Sequence, residues 1–306
     1  MALSALAPAG GATAKPVSAA RRGGVVALAL LIPGLAYLAL FFLVPFVSLV
    51  MTSFGVNDPN EYGVFSYGFQ WQNYVDAISS YWPQFLRSFW FALLATVFAL
   101  LISYPIAYFI GVRLRERVLL RNLLLVLVIA PFFISFLLRT LAWKQILSDE
   151  GPVVSSLQFL GLMGSQDHLT GTAFSVVFGL TYNFVPFMTL PLFASLERLD
   201  KRLLEAGSDL YASPATTFWR VTFPLTLPGV VSGTLLTFIP AAGDYVNASQ
   251  SFLGSASTSM IGNVIQSNFL ITVNYPQAAA LSILLMLVIV VIVGIYVRRS
   301  GTEDLL

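Results

Sequence analysis

Residues 278 to 297 read AAALSILLMLVIVVIVGIYV and decide the fold, because this stretch carries no charge and ends at Arg298-Arg299. About 20 apolar residues in a helix span the hydrocarbon core of a bilayer. Inside lipid every backbone polar group needs an internal partner, which an α-helix supplies. The stretch therefore predicts a membrane-spanning helix within an all-α integral membrane protein.

The composition of the whole chain agrees with that prediction. Of 306 residues, 57% are hydrophobic and only 10% are charged, and the mean hydropathy is +0.82. A soluble domain carries about a quarter charged residues, which lie mainly on its surface in water. The sequence therefore excludes a soluble enzyme and predicts that membrane lipid covers most of the surface.

Five further apolar runs raise the predicted number of membrane-spanning helices to six. They are Val25 to about Met51, Phe89 to Val112, Leu119 to Leu138, Phe174 to Phe193, and Pro228 to about Asp244. The first is longer than the 7 to 15 residues of a signal-peptide core, so we predict an uncleaved span. Residues 1–24 are rich in Ala, Gly, Ser and Pro, and this composition predicts a disordered cytoplasmic tail. Residues 300–306 are predicted to form a second cytoplasmic tail.

The positive charges predict the orientation, since Lys and Arg in short loops stay on the cytoplasmic side. Thirteen of the sixteen lie on one side of the predicted spans: Lys15, Arg21, Arg22, Arg113, Arg115, Arg117, Arg121, Arg198, Lys201, Arg202, Arg220, Arg298 and Arg299. Both termini are therefore predicted to be cytoplasmic. The segments near 54–88, 139–173 and 245–277 would be extracytoplasmic, where Trp71 and Trp82 would anchor at the lipid interface.

The cysteine, histidine and lysine residues of the chain limit the kinds of catalytic and metal sites that it could form. The chain has no cysteine and one histidine, His168, whereas an HExxH zinc site needs two histidines. No lysine follows a glycine, as the lysine of a phosphate-binding P-loop does. We therefore predict no catalytic residue and no metal site, and an integral membrane enzyme is disfavoured. The net charge of +2 fits cytoplasmic loops, and no nucleic-acid partner is expected.

The segment from Leu196 to Pro228 is too long for a simple connection between helices, most of which have about 4 to 6 residues. Leucines at 196, 199, 203 and 210 recur with helical spacing, and charges lie between them. Ser213-Pro214 then supplies an N-cap and a proline at the first helical position. The pattern predicts two short helices with a corner near Ala212. Phe218 and Trp219 would form an exposed apolar surface for a partner.

The same segment carries a family resemblance. Glu205-Ala206-Gly207, followed by Val221, Phe223 and Pro224, resembles the EAA loop of permeases in binding-protein-dependent ABC importers. The family pattern is EAA, three residues, Gly, nine residues, Ile, one residue, Leu-Pro. Val221 stands at the Ile and Phe223 at the Leu. Tyr211 occupies the usual glycine, which is the clearest departure from the pattern.

The resemblance implies a type I ABC importer permease over residues 25–299, with a coupling loop at 196–228 that docks on a cytoplasmic ATPase. The implied coupling residues are Glu205, Ala206, Gly207, Asp209, Ser213, Pro214, Phe218 and Pro224. It also implies a bacterial cytoplasmic-membrane assembly with a second permease, two ATPase subunits and an extracytoplasmic binding protein. ATP and Mg²⁺ would bind the ATPases, and this chain would hold no cofactor.

Four further segments are similar to spermidine/putrescine permeases: residues 135–143, 182–188, 239–245 and 260–266. The resemblance implies a polyamine substrate. Two alternatives stay open at this point. The importer could carry another small solute, because a binding protein usually sets selectivity. A stand-alone secondary transporter would explain the spans but not the long loop.

Asp244 is the most informative charge, since an Asp at the centre of a membrane helix costs about 2.5–3.5 kcal/mol on insertion scales. A cationic substrate would compensate it, and the rings of Tyr245 and Tyr182 would add cation–π attraction. The alternatives are a salt bridge to Arg139 or a position at the wet interface.

Three other residues complete the predicted substrate path. Arg139 would be a gate or the pairing partner of Asp244, because a bare guanidinium repels a polyamine. Asn183, beside Tyr182 in the fourth span, either lines the path or bonds between helices. Trp143 either lies beside the path or anchors at the interface.

Overall fold

A computed structural model describes residues 30–58, 60–61, 63–164 and 166–299. The two predicted tails and the first residues of the first apolar run lie outside these ranges. The chain divides into two units, one up to Leu49 and the other from Val50. In the first unit, helix α1 (Leu30–Ser53) begins, and its apolar side chains are exposed. The rings of Tyr37 and Phe41 lie 4.7 Å apart on this helix.

The second unit is also mainly helical. A two-stranded antiparallel hairpin, β1 (Val56–Asn57) and β2 (Phe65–Ser66), comes first. The helices are α2 (Gln72–Arg113), α3 (Val118–Phe133), α4 (Phe136–Leu147), α5 (Pro152–Phe159), α6 (Ala173–Glu197), α7 (Lys201–Asp209), α8 (Pro214–Leu225), α9 (Leu227–Ala242), α10 (Ile261–Leu270) and α11 (Tyr275–Arg299). A short 3₁₀ turn, Ala256–Thr258, precedes α10.

Four of the described helices are long and apolar enough to cross a membrane, namely α1, α2, α6 and α11. Two bent pairs also qualify if each counts as one span. Helix α3 meets Phe136–Phe159 at 94°, and α8 meets α9 at 66°. The chain is therefore a multi-pass helical protein, and its described residues contain four to six candidate spans. The exact number of six and the cytoplasmic position of both termini stay predictions.

Helix α2 differs from its predicted extent. It begins at Gln72 rather than near Phe89, so much of the segment predicted as an extracytoplasmic loop is helix. Pro83 lies inside the helix without ending it. The apolar run located only the second half, because the first half mixes polar and aromatic side chains. Helices α4, α5 and α10 likewise lie in segments predicted to connect spans.

The third predicted span, Leu119 to Leu138, is not one straight helix. Helix α3 ends in a 3₁₀ turn that contains Pro131, and Ile134 is extended. Ser135 then precedes α4 with a ψ of 134°. Proline lacks an N–H and favours such an ending, and the chain turns by 94°. Arg139 consequently lies in the first turns of α4 and is buried.

The core is built from small side chains where α2, α6 and α9 meet. Ala92 and Ala95 of α2 are fully buried beside Leu180 of α6. On α9, a Cβ atom at Gly229 would lie 2.5 Å from Ser195 Oγ, and one at Gly233 would lie 2.8 Å from Met188 Sδ. Small residues let membrane helices approach closely, so these glycines fix how α9 packs on α6.

Candidate functional site

The coupling loop has the two predicted helices, and side-chain caps begin both. Asp200 Oδ1 accepts a hydrogen bond from the backbone N–H of Arg202 at 3.0 Å, which starts α7. Ser213 Oγ accepts one from the N–H of Thr216 at 3.2 Å, and Pro214 takes the first position of α8. Both caps satisfy N–H groups that the helix itself leaves free. The helix start predicted at Ser213-Pro214 is confirmed.

The corner between the two helices closes through backbone hydrogen bonds. The N–H of Tyr211 donates to Ser208 O at 3.0 Å, and that of Ala212 donates to Gly207 O at 3.0 Å. This pair of bonds is the Schellman motif, whose turning residue adopts a left-handed conformation. Tyr211 adopts it with a φ of +56°. Such a conformation costs a non-glycine residue roughly 1–2 kcal/mol, which explains physically why the family pattern has glycine here.

Gly207 allows α7 to pack against α8. A Cβ atom at this position would lie 3.0 Å from Thr217 Oγ1 and 3.1 Å from Thr217 Cγ2. Glu205, Ala206 and Asp209 are exposed on α7. The loop thus holds two helices together on one side and presents a charged surface on the other.

The two aromatic residues predicted to form one exposed surface face different ways. Trp219 is 64% exposed, as expected. Phe218 is half-buried and packs edge-on against Tyr104 of α2, with ring centroids 5.4 Å apart. The prediction for Phe218 is therefore wrong, because a π-helical turn over Phe218–Thr222 directs its ring toward α2. Pro224, also in α8, is exposed.

Phe218 and a hydroxyl pair connect the coupling loop to the membrane helices. Tyr104 Oη lies 2.7 Å from Thr226 Oγ1 in a buried hydrogen bond between α2 and the start of α9. Phe218 also contacts Tyr108 one turn further along α2, at 6.4 Å between ring centroids. Helix α8 and the start of α9 therefore both contact α2 through Tyr104.

Ion pairs tie the same loop to the segment after α2. Lys201 Nζ donates to Glu116 Oε1 at 2.6 Å, and Arg121 Nη1 donates to Glu197 Oε1 at 2.9 Å. The hydrogen bond from Lys201, together with its charge, lowers the pKa of the exposed Glu116 carboxyl. Such surface pairs add little stability, but they position the start of α7.

The second candidate site is a buried chain of polar side chains around Asp244, which follows the end of α9. The Asp244 carboxylate accepts hydrogen bonds from Asn247 N at 2.8 Å and from Asn247 Nδ2 at 3.1 Å. Asn183 Nδ2 of α6 donates to Asn247 Oδ1 and to Thr140 Oγ1 of α4, each at 3.2 Å. The chain thereby links Asp244 and Asn183, two residues predicted for the path.

Asn247 joins this network although the sequence did not single it out. Its side chain is fully buried, and its amide bridges Asp244 and Asn183. The available signal was a polar side chain three residues after Asp244, in a segment predicted to be extracytoplasmic. The sequence spacing alone does not identify Asn247, because its contact with Asn183 forms only when α6 packs against that segment.

Arg139 is buried but does not pair with Asp244. Among the described residues, neither side chain takes part in a salt bridge, so the predicted alternative of an Arg139–Asp244 pair is absent from this structure. Arg139 Nε and Nη1 have no hydrogen-bond partner within the part of the chain that the structure describes, and the guanidinium carbon lies 5.8 Å from the centre of the Phe136 ring. Asn183 Oδ1 is a further buried atom that finds no partner among residues 30–58, 60–61, 63–164 and 166–299.

Aromatic rings lie beside this network. Trp143 packs edge-on against Tyr182, with ring centroids 5.2 Å apart, so these two predicted residues adjoin each other. Tyr245 is 48% exposed, and its carbonyl oxygen accepts a hydrogen bond from Asn263 Nδ2 at 2.6 Å. The structure therefore brings Asp244 and Asn183 together through hydrogen bonds, whereas Tyr245 turns its ring partly outward.

Replacing Gly179 by alanine is expected to disturb this network from the α6 side. The new Cβ atom would lie 2.6 Å from Asn247 Oδ1 and would also collide with Leu253. Overpacking of this kind costs about 1–3 kcal/mol, so the midpoint of thermal unfolding should fall. Gly294→Ala is the matched control, since nothing lies within 4 Å of that position. Native behaviour of the Gly179 variant would show that the Asn247 contact is dispensable.

Known proteins resemble this chain over most of its length. It matches no protein-family model. It is 34% identical over 269 residues to the spermidine/putrescine transport system permease protein PotB of Haemophilus influenzae, covering 87% of this chain and 91% of the relative. It is 37% identical over 265 residues to PotB of Escherichia coli, covering 86% and 94%.

A solved structure supports the fold alone. The structure of a bacterial alginate ABC transporter, in complex with an alginate pentasaccharide-bound periplasmic protein, contains a chain that superposes with a TM-score of 0.63 at 18% identity. The match covers 93% of this chain and 97% of that one. Identity above 30% across nearly the whole length of the PotB proteins, together with this fold, identifies the family. The chain belongs to the PotB family of ABC transporter permeases.

Proposed function

We propose that this chain is a permease subunit of an ATP-driven importer that moves polyamines across the bacterial cytoplasmic membrane. The observation that carries the proposal is the near full-length similarity to proteins named for spermidine and putrescine transport. The buried carboxylate of Asp244 suits a cationic solute, because ammonium groups form strong charge-assisted hydrogen bonds with carboxylates.

The proposed assembly contains a second permease subunit, two cytoplasmic ATPase subunits and an extracytoplasmic binding protein. ATP and Mg²⁺ would bind the ATPases, so this chain performs no covalent chemistry. The related transporter in complex with a periplasmic protein supports a binding-protein partner. Six spans with both termini in the cytoplasm, tails at 1–24 and 300–306 and a permease domain at 25–299 complete the proposed arrangement.

In the proposed mechanism, the ATPases hold the coupling loop and draw it with them when they close on ATP. Helix α8 transmits the displacement to α2 through the Phe218 and Tyr104 rings, and to α9 through the Tyr104–Thr226 hydrogen bond. Helix α9 leads to Asp244, so its movement changes the surroundings of the carboxylate. The solute passes between the two permeases, where Asp244 attracts its ammonium groups.

The residues of the proposed substrate path would have different roles, set by their charge and shape. Asp244 supplies the negative charge, and Asn183 and Asn247 hold its position through hydrogen bonds. The rings of Tyr182, Trp143 and Tyr245 would provide faces for cation–π contact with the polyamine. Arg139 would act as a gate, since its positive charge repels an ammonium group until the path opens.

The proposal is tested by uptake of labelled spermidine and putrescine into proteoliposomes that contain the complete assembly. Uptake should require the binding protein and internal ATP, and it should stop when the ATPase is omitted. Polyamine uptake without the ATPase would instead support a stand-alone secondary transporter. ATP-dependent uptake of a different solute, with none of either polyamine, would assign the importer to that solute.

A further inference from the structure

Tyr211 is the most exposed large hydrophobic residue of the coupling loop, and its backbone conformation is unfavourable. Its φ is +56°, and its side chain is 99% exposed. Glycine is the usual residue at the left-handed position of a Schellman motif, because it has no Cβ atom to crowd the backbone. Since the ring is fully exposed, it gains no burial within this chain that would offset the strain.

Two further apolar residues of the coupling loop are also exposed. Leu210, directly before it, is 80% exposed, and Leu203 on the preceding turns of α7 is 45% exposed. An exposed apolar cluster of this kind marks an interaction surface. Leu203 and Leu210 lie seven residues apart, on one face of α7, and α7 belongs to the loop that the proposed function places against the ATPase.

Backbone strain that the fold itself does not need is commonly found at functional positions. We propose that the Tyr211 ring, together with Leu210, is an anchor that enters an apolar pocket on the cytoplasmic ATPase subunit. The inference rests on the proposed function, and it identifies Tyr211 as the residue that anchors the ATPase subunit. Tyrosine suits this role, because its rigid ring buries a large area and few residues carry most of the affinity of an interface.

Three substitutions separate the ring from the backbone strain. Tyr211→Gly removes both, Tyr211→Asn removes the ring while tolerating the left-handed conformation, and Tyr211→Phe keeps both. The free permease pair carrying Tyr211→Gly should unfold about 2–4 °C higher than the native pair. Its affinity for the ATPase subunit should nevertheless fall at least about ten-fold.

The other variants test whether the loss of ATPase affinity comes from loss of the Tyr211 ring. Tyr211→Asn should weaken ATPase binding as the glycine variant does, and Tyr211→Phe should bind within about two-fold of the native chain. Tyr67→Gly is the matched control, since it removes another exposed tyrosine, 68% exposed, from the β-hairpin region. Its ATPase affinity should equal that of the native chain.

Four results would overturn the anchor. ATPase binding by Tyr211→Gly within two-fold of native would show that the ring does not contact the partner, although the proposed function would stand. A lower unfolding midpoint for both the glycine and asparagine variants would show that the ring stabilises the corner itself. Failure of the native chain to bind the ATPase would overturn the anchor and the proposed coupling together. Binding of the native loop to anionic lipid vesicles, lost in Tyr211→Gly while ATPase affinity is kept, would assign the ring to the membrane surface.

Discussion

Replacing Glu205 by arginine is expected to uncouple the permease from its ATPase while leaving the permease folded. Glu205 is exposed on α7, and its carboxylate makes no hydrogen bond or ion pair with the other residues that the structure describes. The substitution therefore disturbs little within the chain. At an interface it reverses a charge, and unfavourable charge pairs there cost several kcal/mol. ATPase recovered with the purified permease, and ATP-driven uptake, should both fall at least about ten-fold.

Glu150→Arg is the matched control for this variant. Glu150 is also exposed, but it lies between α4 and α5, on the side that the positive charges predict to be extracytoplasmic. The control should retain native amounts of bound ATPase. Unchanged ATPase recovery and unchanged uptake for Glu205→Arg would contradict the assignment of α7 as the docking helix. The thermal midpoint of both variants should match that of the native permease.

Replacing Asp244 by asparagine should reduce polyamine uptake by about ten-fold or more. The variant keeps the size of the side chain and one acceptor for the N–H of Asn247, but it loses the negative charge. Hydrogen bonds to charged groups are worth about 1.5–3 kcal/mol, and 1.4 kcal/mol corresponds to a factor of ten. The apparent KM for spermidine and the maximal rate, measured in proteoliposomes, report the loss.

Two companion variants separate charge from structure at Asp244. Asp244→Glu keeps the charge and should retain more uptake than Asp244→Asn. Asp76→Asn removes an exposed carboxylate whose recorded contact is with Gln72, and it should transport at the native rate. Native KM and rate for Asp244→Asn would remove the carboxylate from the substrate path. A thermal midpoint lowered by many degrees would attribute the defect to folding instead.

The coupling loop could be predicted from the sequence because its signals are local. A serine followed by proline caps a helix wherever the chain lies, and Ser213-Pro214 does so here. The family pattern places a glycine at position 211, and the Schellman turn observed there gives that pattern a physical cause. Local chemistry was sufficient to locate both helices and their corner.

Features that depend on distant packing were not predictable in the same way. The direction of the Phe218 ring depends on Tyr104, more than a hundred residues earlier in the chain. The role of Asn247 depends on the approach of Asn183 from α6. The 94° turn after α3 falls inside an apolar run, where composition alone favours a continuous span. The periodicity and composition of the sequence contain no information on which distant residues come into contact.

Helix α9 is shorter than the hydrocarbon core of a bilayer. Its 16 residues rise about 24 Å, less than the roughly 30 Å of a hydrocarbon core, whereas the 25 residues of α11 rise about 37 Å. Helix α9 ends at Ala242, and irregular backbone follows from Gly243 onward. Lipid does not tolerate such backbone unless protein or water surrounds it. Where this backbone lies at membrane depth, protein or water would therefore surround Asp244, and a charged solute there would pay a smaller desolvation cost than in lipid.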